Sequence, residues 1–132
     1  MTLLIGVNDQ YRGRRLEAYR RRFRALLRRA VSFAAGEPGR VVVLSIADWG
    51  ATPFAEGRDR RRIAAAIDGF NAANREESVK EGAGYVDVTA ASRAAEEGAF
   101  AADGLHPSGC AYVTWARLAL PAALQAVGGG TK

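Results

Sequence analysis

Three short apolar blocks alternate along the chain with stretches of helical period. Residues 2–8 open as a continuous apolar run, Leu3-Leu4-Ile5, and close with Gly6-Val7-Asn8, the pattern of a strand buried on both faces. Over 14–34, Leu16, Tyr19, Phe23, Leu26, Leu27, Ala30 and Phe33 return to one side of a helix. Gly36-Glu37-Pro38-Gly39 then breaks the period. Val41-Val42-Val43-Leu44-Ser45-Ile46, rich in β-branched residues, predicts a second buried strand. A loop from Ala47 to Gly57 leads to a second helix over 59–79, with Ile63, Ile67 and Phe70 facing inward. Gly84-Tyr85-Val86-Asp87-Val88 predicts a third strand, and Ser92 to Glu97 a brief helical turn. Ser108 is placed to cap a last helix carrying Ala111, Trp115, Leu118 and Ala122.

Strands alternating with helices imply an α/β layer architecture built on a parallel sheet. Ligands of such sheets bind beyond the carboxyl ends of the strands. Asn8 follows the first strand, Asp48 the second, and the loop Asp103–His106 the third. The 132 residues suffice for one domain, expected over 1–127 with a frayed, disordered glycine-rich tail over 128–132.

Composition adds exclusions. At 48% apolar and 25% charged residues the chain is of ordinary globular type. It has no apolar run of about 18 residues or more, so no membrane span is expected. The segment Met1-Thr2-Leu3-Leu4-Ile5 lacks the basic start of a secretory leader, which points to a cytoplasmic chain. The lone Cys110 forms no internal disulfide, and the single histidine argues against a histidine-based metal site.

The net charge of +5 comes mainly from arginine, and Arg12, Arg14, Arg15, Arg20, Arg21, Arg22, Arg24, Arg28 and Arg29 crowd one segment. Such a cluster reads either as the solvated side of an amphipathic helix or as a face for nucleic acid or anionic membrane. No aromatic stacking platform accompanies it, so the first reading is preferred and no nucleic-acid partner is expected.

The residues that carry chemistry lie near the two ends. His106 sits in Asp103-Gly104-Leu105-His106-Pro107, three residues after a carboxylate. On a turn, that carboxylate can hold one ring nitrogen, fix the tautomer and stabilise an imidazolium, leaving the other nitrogen to act as a general base. The alternative is a helix-capping Asp103 beside a surface histidine. Asn8, at the end of a buried strand, has a side-chain amide suited to an oxyanion, though Asn8-Asp9 also suits a simple turn. Gly6 leaves room for a neighbouring segment to approach closely.

Together these motifs resemble blocks of the SGNH (GDSL-like) ester hydrolases. Thr2 to Gly13, T-L-L-I-G-V-N-D-Q-Y-R-G, is similar to the third block of a bacterial subgroup. Val43 to Ala55 is similar to the segment that follows it, with Ala47 where proline is usual, and Asp103 to Pro121 is similar to the final block. The resemblance implies a three-layer, flavodoxin-like α/β/α fold, with five parallel strands in the family and about three here. It implies cofactor-free hydrolysis of small carboxylic esters, with His106 as base, Asp103 as its acid partner, and Asn8 and Gly6 in the oxyanion hole. Asp48, Trp49 and Phe54 are possible pocket walls.

The family's opening G-D-S block has no counterpart. Ser32, Ser45, Ser78, Ser92 and Ser108 are the only serines, and none lies in a G-D-S or G-x-S-x-G context. A mis-assigned start or truncated gene is the expected reason, and the chain alone is expected to be inactive. The strand at 2–8 would then form an exposed apolar edge able to pair with another chain. The alternatives are a non-catalytic remnant that binds a ligand or partner, and a basic nucleic-acid or anion binder.

Overall fold

The computed structural model describes residues 1–96 and 98–128. Glu97, at the end of the expected helical turn, and residues 129–132 of the expected tail lie outside the described residues. Three parallel strands, β1 (Thr2–Leu3), β2 (Val42–Leu44) and β3 (Gly84–Val86), form a sheet in the order β1-β2-β3. Thr2 pairs with Val42 and Leu3 with Val43, and Val42, Val43 and Leu44 pair with Gly84, Tyr85 and Val86. The helices are α1 (Val7–Tyr11), α2 (Leu16–Phe33), α3 (Arg60–Glu81), α4 (Thr89–Arg93) and α5 (Gly109–Gly128).

α2 and α3 pack against each other, and Tyr19, Phe23, Leu27 and Ala30 of α2 meet Ile67 and Phe70 of α3 over Val41 and Val43 in one buried cluster. Tyr19 stacks on Phe70 at 4.5 Å between ring centroids. Val42 is buried but lies outside that cluster, as strand alternation requires, and α5 packs on β2 and β3. The result is the expected reduced α/β/α architecture. No helix among the described residues is long and apolar enough to cross a membrane.

Several details depart from the sequence reading: β2 and β3 are shorter than the strands expected over 41–46 and 84–88, and the brief helix expected from Ser92 is α4, Thr89–Arg93. The strand expected over 2–8 ends at Leu3, and residues 7–11 turn into a short helix instead. The break occurs at Gly6, whose φ of 121° is open to glycine and strained for other residues. Phe33, expected on the inner side of α2, is 66% exposed and lies beneath the guanidinium of Arg29. It occupies the last residue of α2.

The strands stop short, and side chains take over where backbone pairing ends. Asn71 of α3 accepts the Ile46 N–H at 2.7 Å and donates to the Ile46 carbonyl at 3.0 Å, so its amide copies a neighbouring strand. Its second amide proton goes to Thr89 Oγ1 at 2.9 Å. Ser45, fully buried, accepts the Val88 and Thr89 N–H groups and donates to Asp87. Burial tends to raise the carboxyl pKa of Asp87, but the hydrogen bonds from Thr89 and Ser45 outweigh it and hold the group below its ordinary value.

Charge is handled on the outer side of α2 and α3. Glu77, 3% exposed, receives Arg24 at 2.6 Å and Arg20 at 2.7 Å. Arg20 also reaches Glu76, and Arg28 pairs with Glu81. With Arg14 and Arg22 on Asp9, five of the nine clustered arginines pair with acids of the same fold.

Replacing Asn71 with leucine leaves the buried Ile46 N–H without a partner, while the Ile46 carbonyl keeps only Thr89 Oγ1 at 2.9 Å. The expected loss is about 3 kcal/mol in urea unfolding, in line with the cost of orphaned buried groups. For Glu77, Arg24 and then Arg20 hold the carboxyl at about 2, below its ordinary 4.5. Between those values the unfolded chain binds more protons than the folded one. The contribution of Glu77 is therefore complete above pH 4.5 and lost as pH falls towards 2. Thermal melts of Glu77→Gln should show a loss of about 2 kcal/mol at neutral pH and a shallower decline of melting temperature on acidification than the unmodified chain.

Candidate active site

A cleft of about 930 Å³ opens at the carboxyl end of the sheet, and Asn8, Asp48, Trp49, Phe54 and His106 all line it. Three segments far apart in sequence thus converge on one place. Its remaining wall is largely apolar, with Leu4, Ile5, Val7, Phe100, Leu105 and Trp115 among the contributors.

The loop that carries His106 is closed upon itself. Phe100 and Pro107 face each other as an antiparallel bridge, Ala101 donates to the His106 carbonyl at 2.8 Å, and Ser108 donates to the Ala99 carbonyl at 2.9 Å. Gly104 allows the tight turn, at φ 66°, and its carbonyl accepts the Phe54 N–H at 3.0 Å, which docks the loop onto the Pro53–Phe54 segment.

Within this loop Asp103 Oδ1 accepts the N–H groups of Leu105 and His106, each at 2.9 Å, and Oδ2 lies 2.5 Å from His106 Nδ1. The His106 hydrogen bond, reinforced by the two backbone donors, lowers the Asp103 carboxyl to about 2. The carboxylate therefore remains ionised and holds a proton on Nδ1, and Nε2 has no hydrogen-bond partner among the described residues. The side chains are 51% and 68% exposed, so the pair stands at the cleft's open side.

Asn8 is exposed on the first turn of α1, and its side-chain amide has no partner among the described residues. α1 is held in place by the Asp9–Arg14 ion pair and by Gln10, whose Oε1 accepts the Trp49 indole N–H at 2.7 Å. Gly6 lies behind, not on the cleft wall. A Cβ there would fall 2.7 Å from Ile46 Cδ1 and strike the Tyr19 hydroxyl, so the close approach expected at this glycine comes from Tyr19 and Ile46. Tyr19 Oη reaches the Ile5 carbonyl at 3.2 Å and Asn74 Oδ1 at 2.8 Å. Asn74 Nδ2 is the one buried side-chain polar atom without a partner among the described residues. Turning the Asn74 amide over lets Nδ2 donate to Tyr19, whose hydroxyl is then free for Ile5.

Asp48 lines the cleft, but its carboxylate accepts the Gly50 N–H at 2.8 Å and Arg93 Nε at 2.8 Å, both structural engagements. Trp49 is buried, whereas Phe54 is 40% exposed at the rim. None of the five serines bonds to His106. Ser32, Ser45, Ser78 and Ser92 donate their hydroxyl protons to Arg29, Asp87, Asn74 and Thr89, and Ser108 Oγ makes a long cap to the Ala111 N–H of α5. No group of three or more His, Cys, Asp or Glu side chains among the described residues is placed to hold a metal ion.

Sequence reasoning missed the supports: Asn71, Asn74, Gln10 and Arg93. The signal present was the stripe Asn71, Asn74 and Ser78, polar residues at core-facing positions of α3 next to Ile67 and Phe70. If His106 is what lowers Asp103, His106→Ala should raise the Asp103 carboxyl from about 2 towards, but not fully to, its ordinary 3.8, because the two backbone donors stay. A carboxyl-carbon NMR titration of both chains measures this.

Residues 1–112 match the GDSL-like Lipase/Acylhydrolase family. No similar sequence was found among curated proteins. The match spans most of the chain and takes in Asn8, Asp103 and His106, and the protein belongs to the GDSL-like lipase/acylhydrolase family of hydrolases.

Proposed function

We propose that this chain carries the acid–base and oxyanion half of a carboxylic-ester hydrolase working by a Ser-His-Asp mechanism. The observation that carries the reading is Asp103 Oδ2 at 2.5 Å from His106 Nδ1, on the same cleft as the unpartnered Asn8 amide. His106 Nε2 takes the proton of the attacking hydroxyl and returns it to the departing alcohol. Asp103 keeps Nδ1 protonated and stabilises the imidazolium between the two transfers. Asn8 donates to the carbonyl oxygen as it gains charge, a contribution of about 3 kcal/mol for one such donor in a complete enzyme.

The acyl-accepting serine is left to a segment outside these 132 residues. Four serines have their protons engaged and Ser108 serves α5, which is why none is assigned the role. Water then attacks in place of serine, and only weak residual catalysis remains.

Hydrolysis of p-nitrophenyl acetate by the purified chain tests this. The expected course is slow turnover without a burst, lowered about tenfold by Asn8→Ala and reduced to the buffer rate by His106→Ala. Equal rates for the unmodified chain and His106→Ala would overturn the assignment of the base. A fluorophosphonate adduct on any of the five serines would overturn the placing of the nucleophile elsewhere.

A further inference from the structure

Arg58 lies over three aromatic rings, where Arg29 lies over one, Phe33. Arg14, Arg20, Arg22, Arg24, Arg28 and Arg93 pair with carboxylates. Arg58 instead lies 5.1 Å from the centroid of Phe54, 5.5 Å from Trp49 and 5.7 Å from Tyr11. The rings brace one another: Tyr11 meets Trp49 edge-on at 5.2 Å, and Trp49 meets Phe54 edge-on at 6.3 Å. All three line the cleft that holds His106 and Asn8. Trp49 is buried and anchored by its indole hydrogen bond to Gln10.

Attraction to three rings together restricts a long exposed side chain. Ring contacts engage the faces of a guanidinium and leave its in-plane N–H donors available. No carboxylate among the described residues lies within ion-pairing distance of Arg58. The acid nearest along the chain with a defined role, Asp59, accepts the Arg62 N–H at the start of α3. A planar cation with unused donors, lying over rings that line an apolar cleft, is suited to a group that presents two oxygens in one plane.

We propose that Arg58, seated on Tyr11, Trp49 and Phe54, is a subsite for an anionic carboxylate or phosphate group on a ligand whose apolar part lies in the cleft. Resting on the ester-hydrolase reading, this makes the substrate an ester with a negative charge on the side away from the cleft's apolar wall. The anion preference itself is an equilibrium property and does not depend on turnover.

Calorimetric titration at low salt compares octyl phosphate, octyl alcohol, inorganic phosphate and octyltrimethylammonium on the unmodified chain and on Arg58→Gln. Octyl phosphate should bind about tenfold more tightly than octyl alcohol to the unmodified chain, as charge-assisted hydrogen bonds allow. Arg58→Gln should abolish that preference and leave octyl alcohol binding unchanged, which also shows that the variant is folded. Inorganic phosphate binding as tightly as octyl phosphate would overturn the role of the cleft and mark a free-anion site. Equal binding of octyl phosphate and octyl alcohol, or a preference that survives Arg58→Gln, would overturn the subsite. Tighter binding of octyltrimethylammonium would overturn it too, because the rings would then be accepting a cation in place of Arg58. Loss of the ester-hydrolase reading, through a silent His106→Ala, would leave these affinities unchanged, so the two failures are distinguishable.

Discussion

The site depends on how the chain leaves the sheet. Three strands of two or three residues supply little backbone pairing, and the segments that follow them must diverge into loops within a buried region. A backbone group left unpaired there costs more than an average hydrogen bond contributes. Asn71 meets this constraint by pairing with both the N–H and the carbonyl of Ile46, and Ser45 does the same for the Val88 and Thr89 amides. With those groups satisfied, Asp48 and Trp49 follow onto the cleft wall, and Trp49 can hold α1 through Gln10. The cleft is thus braced from α3 through residues that do not themselves face a ligand.

The two sides of the molecule solve opposite problems. On the α2–α3 side, five of the nine clustered arginines pair with Glu76, Glu77, Glu81 and Asp9, and the pairs to the three glutamates clasp α2 to α3. On the other side, apolar surface stays open. Leu4, Ile5 and Val7 are 40% exposed or more, as are Tyr112, Val113, Leu118, Leu120, Leu124 and Val127 along α5, where only Trp115 and Ala126 are buried. The cleft lies amid this surface, which accounts for its apolar lining.

The groups in and beside the cleft differ in how they are held. The Asp103–His106 pair is assembled locally by a closed loop and would keep its shape wherever that loop were docked. Asn8 depends on distant support, from Tyr19 and Ile46 behind Gly6 and from Trp49 beside Gln10. Arg58 depends on three rings from two segments. A local dyad and a tertiary cradle therefore meet at one site, and each responds to different substitutions.

That division also separates what the amino-acid order determined from what folding decided. Periodicity alone marked α2 and α3, because their apolar spacing has no other low-energy use, and β-branched runs marked β2. The Asp103–His106 pairing was legible because three residues on a turn are a local distance. The extent of β1 was not: Leu4 and Ile5 read as strand, and only the contact of Gly6 with Tyr19 and Ile46 shows why the chain turns away after Leu3. Pairings such as Asn71 with Ile46, Arg24 with Glu77 and Arg58 with Phe54 join positions whose closeness no local pattern encodes. Local spacing determined the elements and the dyad; the packing of α3 against the sheet decided which polar groups were buried, and so which residues hold the site together.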